Sequence, residues 1–155
     1  MANPIKAFFA GLRADTARAG SMMDGNKAFA RGDYGGAWLY FSHAANAGVP
    51  EAAFNLGLMR MNGQGLPADD EQAARWFRQA AEQGVVEAQF NLAQMYDQGR
   101  GVPQDFVEAT KWYRTGAEQG HSLSQWNLGV RYQEGRGVPK DRDEAAKWSR
   151  LATGK

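Results

Sequence analysis

From Glu51 onward the chain repeats itself every thirty-six residues, and that period limits the possible folds more than any other feature of the sequence. The copies begin at Glu51, Glu87 and Leu123 and read EAAFNLGLMRMNGQGLPADDEQAARWFRQAAEQGVV, EAQFNLAQMYDQGRGVPQDFVEATKWYRTGAEQGHS and LSQWNLGVRYQEGRGVPKDRDEAAKWSRLATGK. A unit this short cannot bury its own apolar face, so its copies must stack and share a core. In each copy a helical segment carrying Asn-Leu-Gly/Ala ends at a glycine, a Gly-x-Gly-x-Pro-x-Asp turn follows, and a second helix begins at the aspartate. Each copy is therefore expected to be a helical hairpin.

The second helix is the more strongly specified. Asp69, Asp105 and Asp141 stand where a side-chain oxygen takes up free backbone N–H groups, and Gln72, Glu108 and Glu144, three residues later, would complete capping boxes. Helical spacing predicts a buried stripe of Ala73, Trp76, Phe77, Ala80 and Ala81, repeated as Ala109, Trp112, Tyr113, Gly116 and Ala117. Gly84 and Gly120 fall where a left-handed residue closes a helix.

The shared NLG/A, GxG, proline, capping aspartate, A-x-x-W and AA/GA-x-Q-G elements resemble the Sel-1-like repeat family, a relative of the tetratricopeptide repeats, over about residues 51–155. Upstream, Gly25 to Gly48 is similar to an ordinary tetratricopeptide repeat, with Gly25, Ala37, Phe41 and Ala44 in place and a short GDY turn. The resemblance implies an all-α fold, a right-handed α-solenoid of helical hairpins forming one domain. Its parts would be an amphipathic capping helix at 1–17, a tetratricopeptide-like hairpin at 18–50, and Sel-1-like repeats at 51–86, 87–122 and 123–155.

Asn3 and Pro4 suit a helix start, and Ile5, Phe8, Phe9 and Leu12 follow helical spacing. This stripe suits either a cap on the first hairpin or, with Lys6 and Arg13 toward lipid headgroups, a weak membrane-surface anchor. The apolar run AFFAGL is too short for a secretory signal, so the segment is expected to be retained and the protein cytoplasmic.

Little in the chain suggests chemistry. There is no cysteine, which closes disulfide, thiolate-metal and thiol-nucleophile readings. The two histidines, His43 and His121, occupy different places in the repeat, and no metalloprotease, nucleophile-elbow or phosphate-loop motif is present. The glycine turns at Gly63-Gln64-Gly65, Gly99-Arg100-Gly101 and Gly135-Arg136-Gly137 precede helix starts as phosphate cradles do, but each leads to an aspartate that would repel phosphate. No catalytic residue, metal or cofactor is expected. A net charge of +1 removes the electrostatic case for nucleic acid, and 43% hydrophobic with 23% charged residues in short runs argues against disorder and a membrane span.

What remains is surface. On the first helix of each copy, Phe54, Leu58 and Met61 share one stripe, with Phe90, Gln94, Asp97 and Trp126, Val130, Gln133 as equivalents, while Leu56, Gly57 and Arg60 face the hairpin partner. Resemblance to tetratricopeptide-like folds places the stripe in a concave groove. Beside it run Asn55, Asn91 and Asn127, with Asn26 nearby. Aromatics beside a row of amides suit a protein or peptide partner. The alternative is that the aromatics pack on neighbouring helices and the amides satisfy local backbone.

The opening GNKAF also resembles carboxylate-clamp tetratricopeptide domains, with Asn26 and Asn55 on the clamp asparagine positions. The clamp's cationic positions are Met22, Glu87 and Asn91, so acidic-tail binding is not expected. Charge is uneven, +2 over residues 1–50, −4 over 51–122 and +3 over 123–155. Arg131, Arg136, Lys140, Arg142, Lys147 and Arg150 form either a basic end face or an ordinary solvated one. Ser149 in place of Phe77 and Tyr113, and Thr153 in place of an alanine, adapt the last helix to water, so a monomer is expected. The family resemblance implies an adaptor or scaffold, in bacterial signalling, secretion or effector and immunity settings.

Overall fold

The computed structural model describes residues 20–154; the amino-terminal stripe of Ile5, Phe8, Phe9 and Leu12 lies outside them. Among the described residues, eight α-helices form four successive hairpins: α1 (20–30) with α2 (Tyr34–Asn46), α3 (Pro50–Asn62) with α4 (Asp70–Glu82), α5 (Val86–Gln98) with α6 (Phe106–Glu118), and α7 (Ser122–Glu134) with α8 (Arg142–Thr153). No strand occurs among the described residues. From α2 to α8 the principal helix packing runs between consecutive helices, as in a solenoid.

The first helices stop where the sequence says they must. Gly63, Gly99 and Gly135 adopt φ of +68°, +66° and +73°, and their N–H groups bond the carbonyls of Met59, Met95 and Arg131. The second helices start as expected. Asp69 Oδ1 accepts the N–H of Gln72 at 2.9 Å, Asp105 Oδ1 those of Val107 and Glu108, and Asp141 Oδ1 those of Asp143 and Glu144.

The capping boxes are only half formed. The return bond is not made, because the N–H of each capping aspartate donates instead to the first helix: Asp69 to Arg60 O at 2.9 Å, Asp105 to Tyr96 O at 2.9 Å and Asp141 to Tyr132 O at 3.0 Å. These bonds tie the two ends of each turn together. The side chains that would have closed the box turn outward, Glu108 to Lys111 and Glu144 to Lys147 and Trp148 Nε1.

The second glycine of each Gly-x-Gly turn has a steric cause. A Cβ on Gly101 would lie 2.2 Å from Asp70 O, and one on Gly137 would lie 2.0 Å from Phe106 O. The turn of one hairpin thus rests on the first turn of the second helix of the hairpin before it, too close for any side chain. Gly65 stands at the same place over Tyr34 but less closely, a Cβ there lying 3.1 Å from Tyr34 O.

The buried arc of the second helices differs from the expected stripe. Phe77, Tyr113 and the alanines are buried, but Trp76 and Trp112 are only half-buried, and Ala74 and Thr110 are buried in addition. The arc is rotated because the helix is covered on two sides, by its own partner and by the incoming turn; Thr110 Oγ1 donates to Arg136 O at 3.1 Å across that contact. One apolar cluster runs from Ala28 to Tyr113 through Phe41, Leu56, Met59, Phe77 and Leu92. A separate small cluster of Ala117, Leu128 and Trp148, with Tyr132 against it, closes the last hairpin.

Candidate functional site

The candidate stripe lies on α3, α5 and α7, and its aromatics fall into two kinds. Phe54 lies with its ring centroid 5.7 Å from that of Phe77, and Phe90 packs edge-on against Tyr113 at 5.8 Å and His121 at 5.2 Å. With Leu58 and Met61 they are half-buried against the main core. Trp126 is different: it is 51% exposed, and Leu123 one turn earlier is 57% exposed. Ser149, which stands in the register of Phe77 and Tyr113, offers it no ring to pack on. Val130 is half-buried below them.

The asparagines also divide. Asn127 Nδ2 donates to Leu123 O at 2.8 Å within its own helix. Asn26 and Asn55 instead line, with Phe29, Phe41 and Leu58, a pocket of ≈ 120 Å³ at the start of the solenoid. Asn91 and Gln94 are half-buried along the same face of α5. The structure thus brings Asn26, Asn55 and Leu58 together, and leaves Trp126 as a separate apolar feature toward the other end.

Asp97, expected on the stripe, is engaged by a residue that the sequence reading placed elsewhere. Arg131 is not part of a basic end face: its side chain is 4% exposed and its Nη2 lies 2.5 Å from Asp97 Oδ1, an ion pair between α5 and α7. Nε and Nη1 of Arg131 have no hydrogen-bond partner among the described residues. The guanidinium lies 5.0 Å from the ring centroid of Tyr113 and 6.0 Å from that of Phe106, where ring electrons compensate part of the lost hydration. Burial pushes the Tyr113 hydroxyl up to about 12; the Asp97 charge adds to the rise and Arg131 offsets part of it. The available signal was register, since Arg131 occupies the position of the buried Met59 and Met95.

Two further pairs escaped the sequence reading. Gln89 and Gln125 are buried, and their Nε2 groups donate to Ala81 O and Ala117 O of the preceding hairpin, each at 3.1 Å. Arg78 and Arg114 reach the hydroxyls of Tyr96 and Tyr132 in the following hairpin, and each guanidinium lies 5.6 Å from the ring centroid it faces. These contacts join hairpins and form no reactive cluster.

The histidines are local. His43 Nδ1 lies 2.9 Å from Ser21 Oγ, and His121 caps α7 by accepting the Ser124 N–H at 3.3 Å. Among the described residues no group of three or more His, Asp or Glu could hold a metal ion, and no helix is long and apolar enough to cross a membrane.

Known proteins share this fold. The chain is similar to a Sel1 repeat protein from Oxalobacter formigenes, with 34% identity and a TM-score of 0.80 over 85% of this chain and 54% of that one. It is also similar to c5321, a protective antigen of uropathogenic Escherichia coli with an SLR fold, at 37% identity and a TM-score of 0.85 over 93% of this chain and 32% of that one. This chain therefore spans about half and about a third of the lengths of these two relatives. Helicobacter pylori cysteine rich protein B shares the fold at 19% identity and a TM-score of 0.58, over 74% of this chain and 86% of that one. No curated protein matches the chain. The Sel1 repeat family model matches residues 50–85, 86–121 and 122–153, so the hairpins built on α3 to α8 are Sel1 repeats and the chain belongs to that family.

Proposed function

We propose that this chain is a non-enzymatic bacterial interaction module that binds a protein or peptide partner along the face formed by its first helices, in the cytoplasm. Sel1 repeats are in general protein-interaction modules, which supports the class of function. The observation that carries the choice of face is the pocket between α1 and α3. Its floor of Phe29, Phe41 and Leu58 accepts an apolar side chain, and Asn26 and Asn55 can each donate to and accept from a peptide backbone. Exposed Trp126 offers a second apolar anchor farther along, of the type that dominates interface energetics.

Affinity capture from the source cell with the wild-type chain and with Leu58→Glu and Trp126→Ala variants tests this reading. A protein retained by the wild type and lost at least tenfold by both variants, with helical content unchanged, supports it. Retention unaffected by either variant overturns it.

A further inference from the structure

The pocket between α1 and α3 has a size and a charge that narrow what it can hold. Gly25 sits under Phe41 as Gly57 sits under Phe77, a Cβ on either meeting the ring at 2.6 Å, so the two hairpins align with Met22 in the place of Phe54. A ring stacked as Phe54 is on Phe77 is therefore missing over Phe41, and a cavity of ≈ 120 Å³ stands there. A cavity of about 150 Å³ takes a benzene ring, so this one suits a branched aliphatic side chain, Leu or Ile, better than an aromatic one.

The charges beside the pocket are one-sided. On α1, Lys27 lies 4.0 Å from Asp24. On α3, Arg60 is held by Asp69 and by Pro67 O, and on α5, which has no Lys or Arg, Asp97 is held by Arg131. That leaves Glu51 and Glu87, both exposed and in an ion pair with no cation among the described residues. Each stands four residues before an asparagine of the groove, Asn55 or Asn91, hence one turn away on the same helix face. Helix starts do not require them, since α7 begins without an acid and has Leu123 in that register. The amides differ as well. Asn127 Nδ2 is tied to Leu123 O in its own helix, and no such bond holds Asn55 to Glu51 among the described residues. Side-chain amides pair with the N–H and C=O groups of an extended chain, which a helix keeps for itself.

We propose that this groove, a proposal that rests on its reading above as the partner-binding face, takes an extended basic segment of a partner protein. A Leu or Ile side chain enters the pocket, Asn26 and Asn55 hold the backbone around it, and Lys or Arg side chains lie against Glu51 and Glu87. The charge of −4 over residues 51–122 steers such a segment inward.

The test is selection of a phage-displayed library of random peptides on the full chain, in parallel with Leu58→Glu and Glu51→Lys/Glu87→Lys variants of unchanged helical content. The wild type is expected to enrich peptides with Leu or Ile flanked by Lys or Arg, the Leu58→Glu variant to enrich none of these, and the doubly charge-reversed variant to enrich the same aliphatic residue flanked by Asp or Glu. A synthetic copy of the enriched peptide should bind about tenfold more weakly to the wild type once its cations are replaced by Glu. Enrichment of an aliphatic residue without basic neighbours, lost on Leu58→Glu, keeps the groove as the binding face and overturns the basic occupant. Peptides enriched equally by the wild type and Leu58→Glu overturn both readings, and no enrichment at all overturns this one. Displacement of the enriched peptide by a synthetic peptide of residues 1–19, which carries Lys6, Arg13 and Arg18 beside Ile5 and Leu12, assigns the groove to the chain's own segment and overturns the partner.

Discussion

The junction between the second and third hairpins and the junction between the third and fourth have the same backbone geometry and opposite chemistry. At the first, Met61 and Met95 belong to the apolar cluster that runs unbroken from Ala28 to Tyr113. At the second, the same two register positions hold Asp97 and Arg131, the cluster stops, and a small separate one begins at Ala117 and Leu128. Three contacts persist through both: the glutamine to a backbone carbonyl, the arginine to a tyrosine hydroxyl, the glycine on a helix start. Stacking in this solenoid is therefore fixed by the polar contacts that recur, while the apolar filling between them is free to change.

The largest expected effect comes from breaking the charged junction on one side. Arg131→Ala leaves the Asp97 carboxylate in a part-buried site without its cation and should cost about 3–5 kcal/mol in urea unfolding. The double change Asp97→Met with Arg131→Met copies the first junction into the second. It should restore the wild-type midpoint or exceed it, and a double variant as unstable as the single one would show that the two junctions are not interchangeable.

The shared geometry is tested by glycine. Gly137→Ala places a Cβ 2.0 Å from the Phe106 carbonyl at a φ of +73° and should cost about 2–4 kcal/mol. Gly84→Ala, also at positive φ but with open space around it, should cost only about 1–2 kcal/mol. Equal losses at the two sites would mean that backbone conformation alone, and not the seating of the turn, explains the conserved spacing of the turns within this chain.

A smaller effect separates the junctions by pH. Tyr113 has its hydroxyl raised above the unfolded value of 10.0 to about 12, so the unfolded chain loses this proton first. Its contribution is intact below pH 10 and fades as pH rises toward 12, by at most about 2–3 kcal/mol. Tyr113→Phe should flatten that part of the alkaline unfolding profile, and a profile unchanged by the substitution would disprove the assignment.

The hairpins were legible because their signals are local. A capping aspartate, a glycine at positive φ and a helical stripe each act within a few residues, so Asp105, Gly99 and Phe77 could be placed by counting. Arg131, Gln89 and Gln125 could not, since a polar residue on an amphipathic helix reads as solvated until a neighbouring hairpin is known to cover it. Their burial becomes readable only when copies are laid in register, where Arg131 stands beside Met59 and Met95 and the glutamines repeat at an alanine position. The unmade half of the capping box has the same origin, because the competing carbonyl of Tyr96 or Tyr132 belongs to the other helix of the hairpin. At the candidate site the stripe was readable, but whether Trp126 has a ring to pack on is decided at Ser149, two dozen residues away in sequence.

The bond from each capping aspartate back to the first helix has a kinetic meaning. Asp105 N–H and Tyr96 O are only nine residues apart, so the turn closes as a short loop on the submicrosecond scale, long before any hairpin meets its neighbour. The closed turn holds the two helices of a hairpin near each other, which shortens their search for one another, while their core is completed only when a neighbouring hairpin stacks on it. The last hairpin, tied at its turn by Asp141 to Tyr132, is joined to the one before it by Gln125 on Ala117 O, Arg114 on the Tyr132 hydroxyl and the Asp97–Arg131 pair, so its release would have to break all three together.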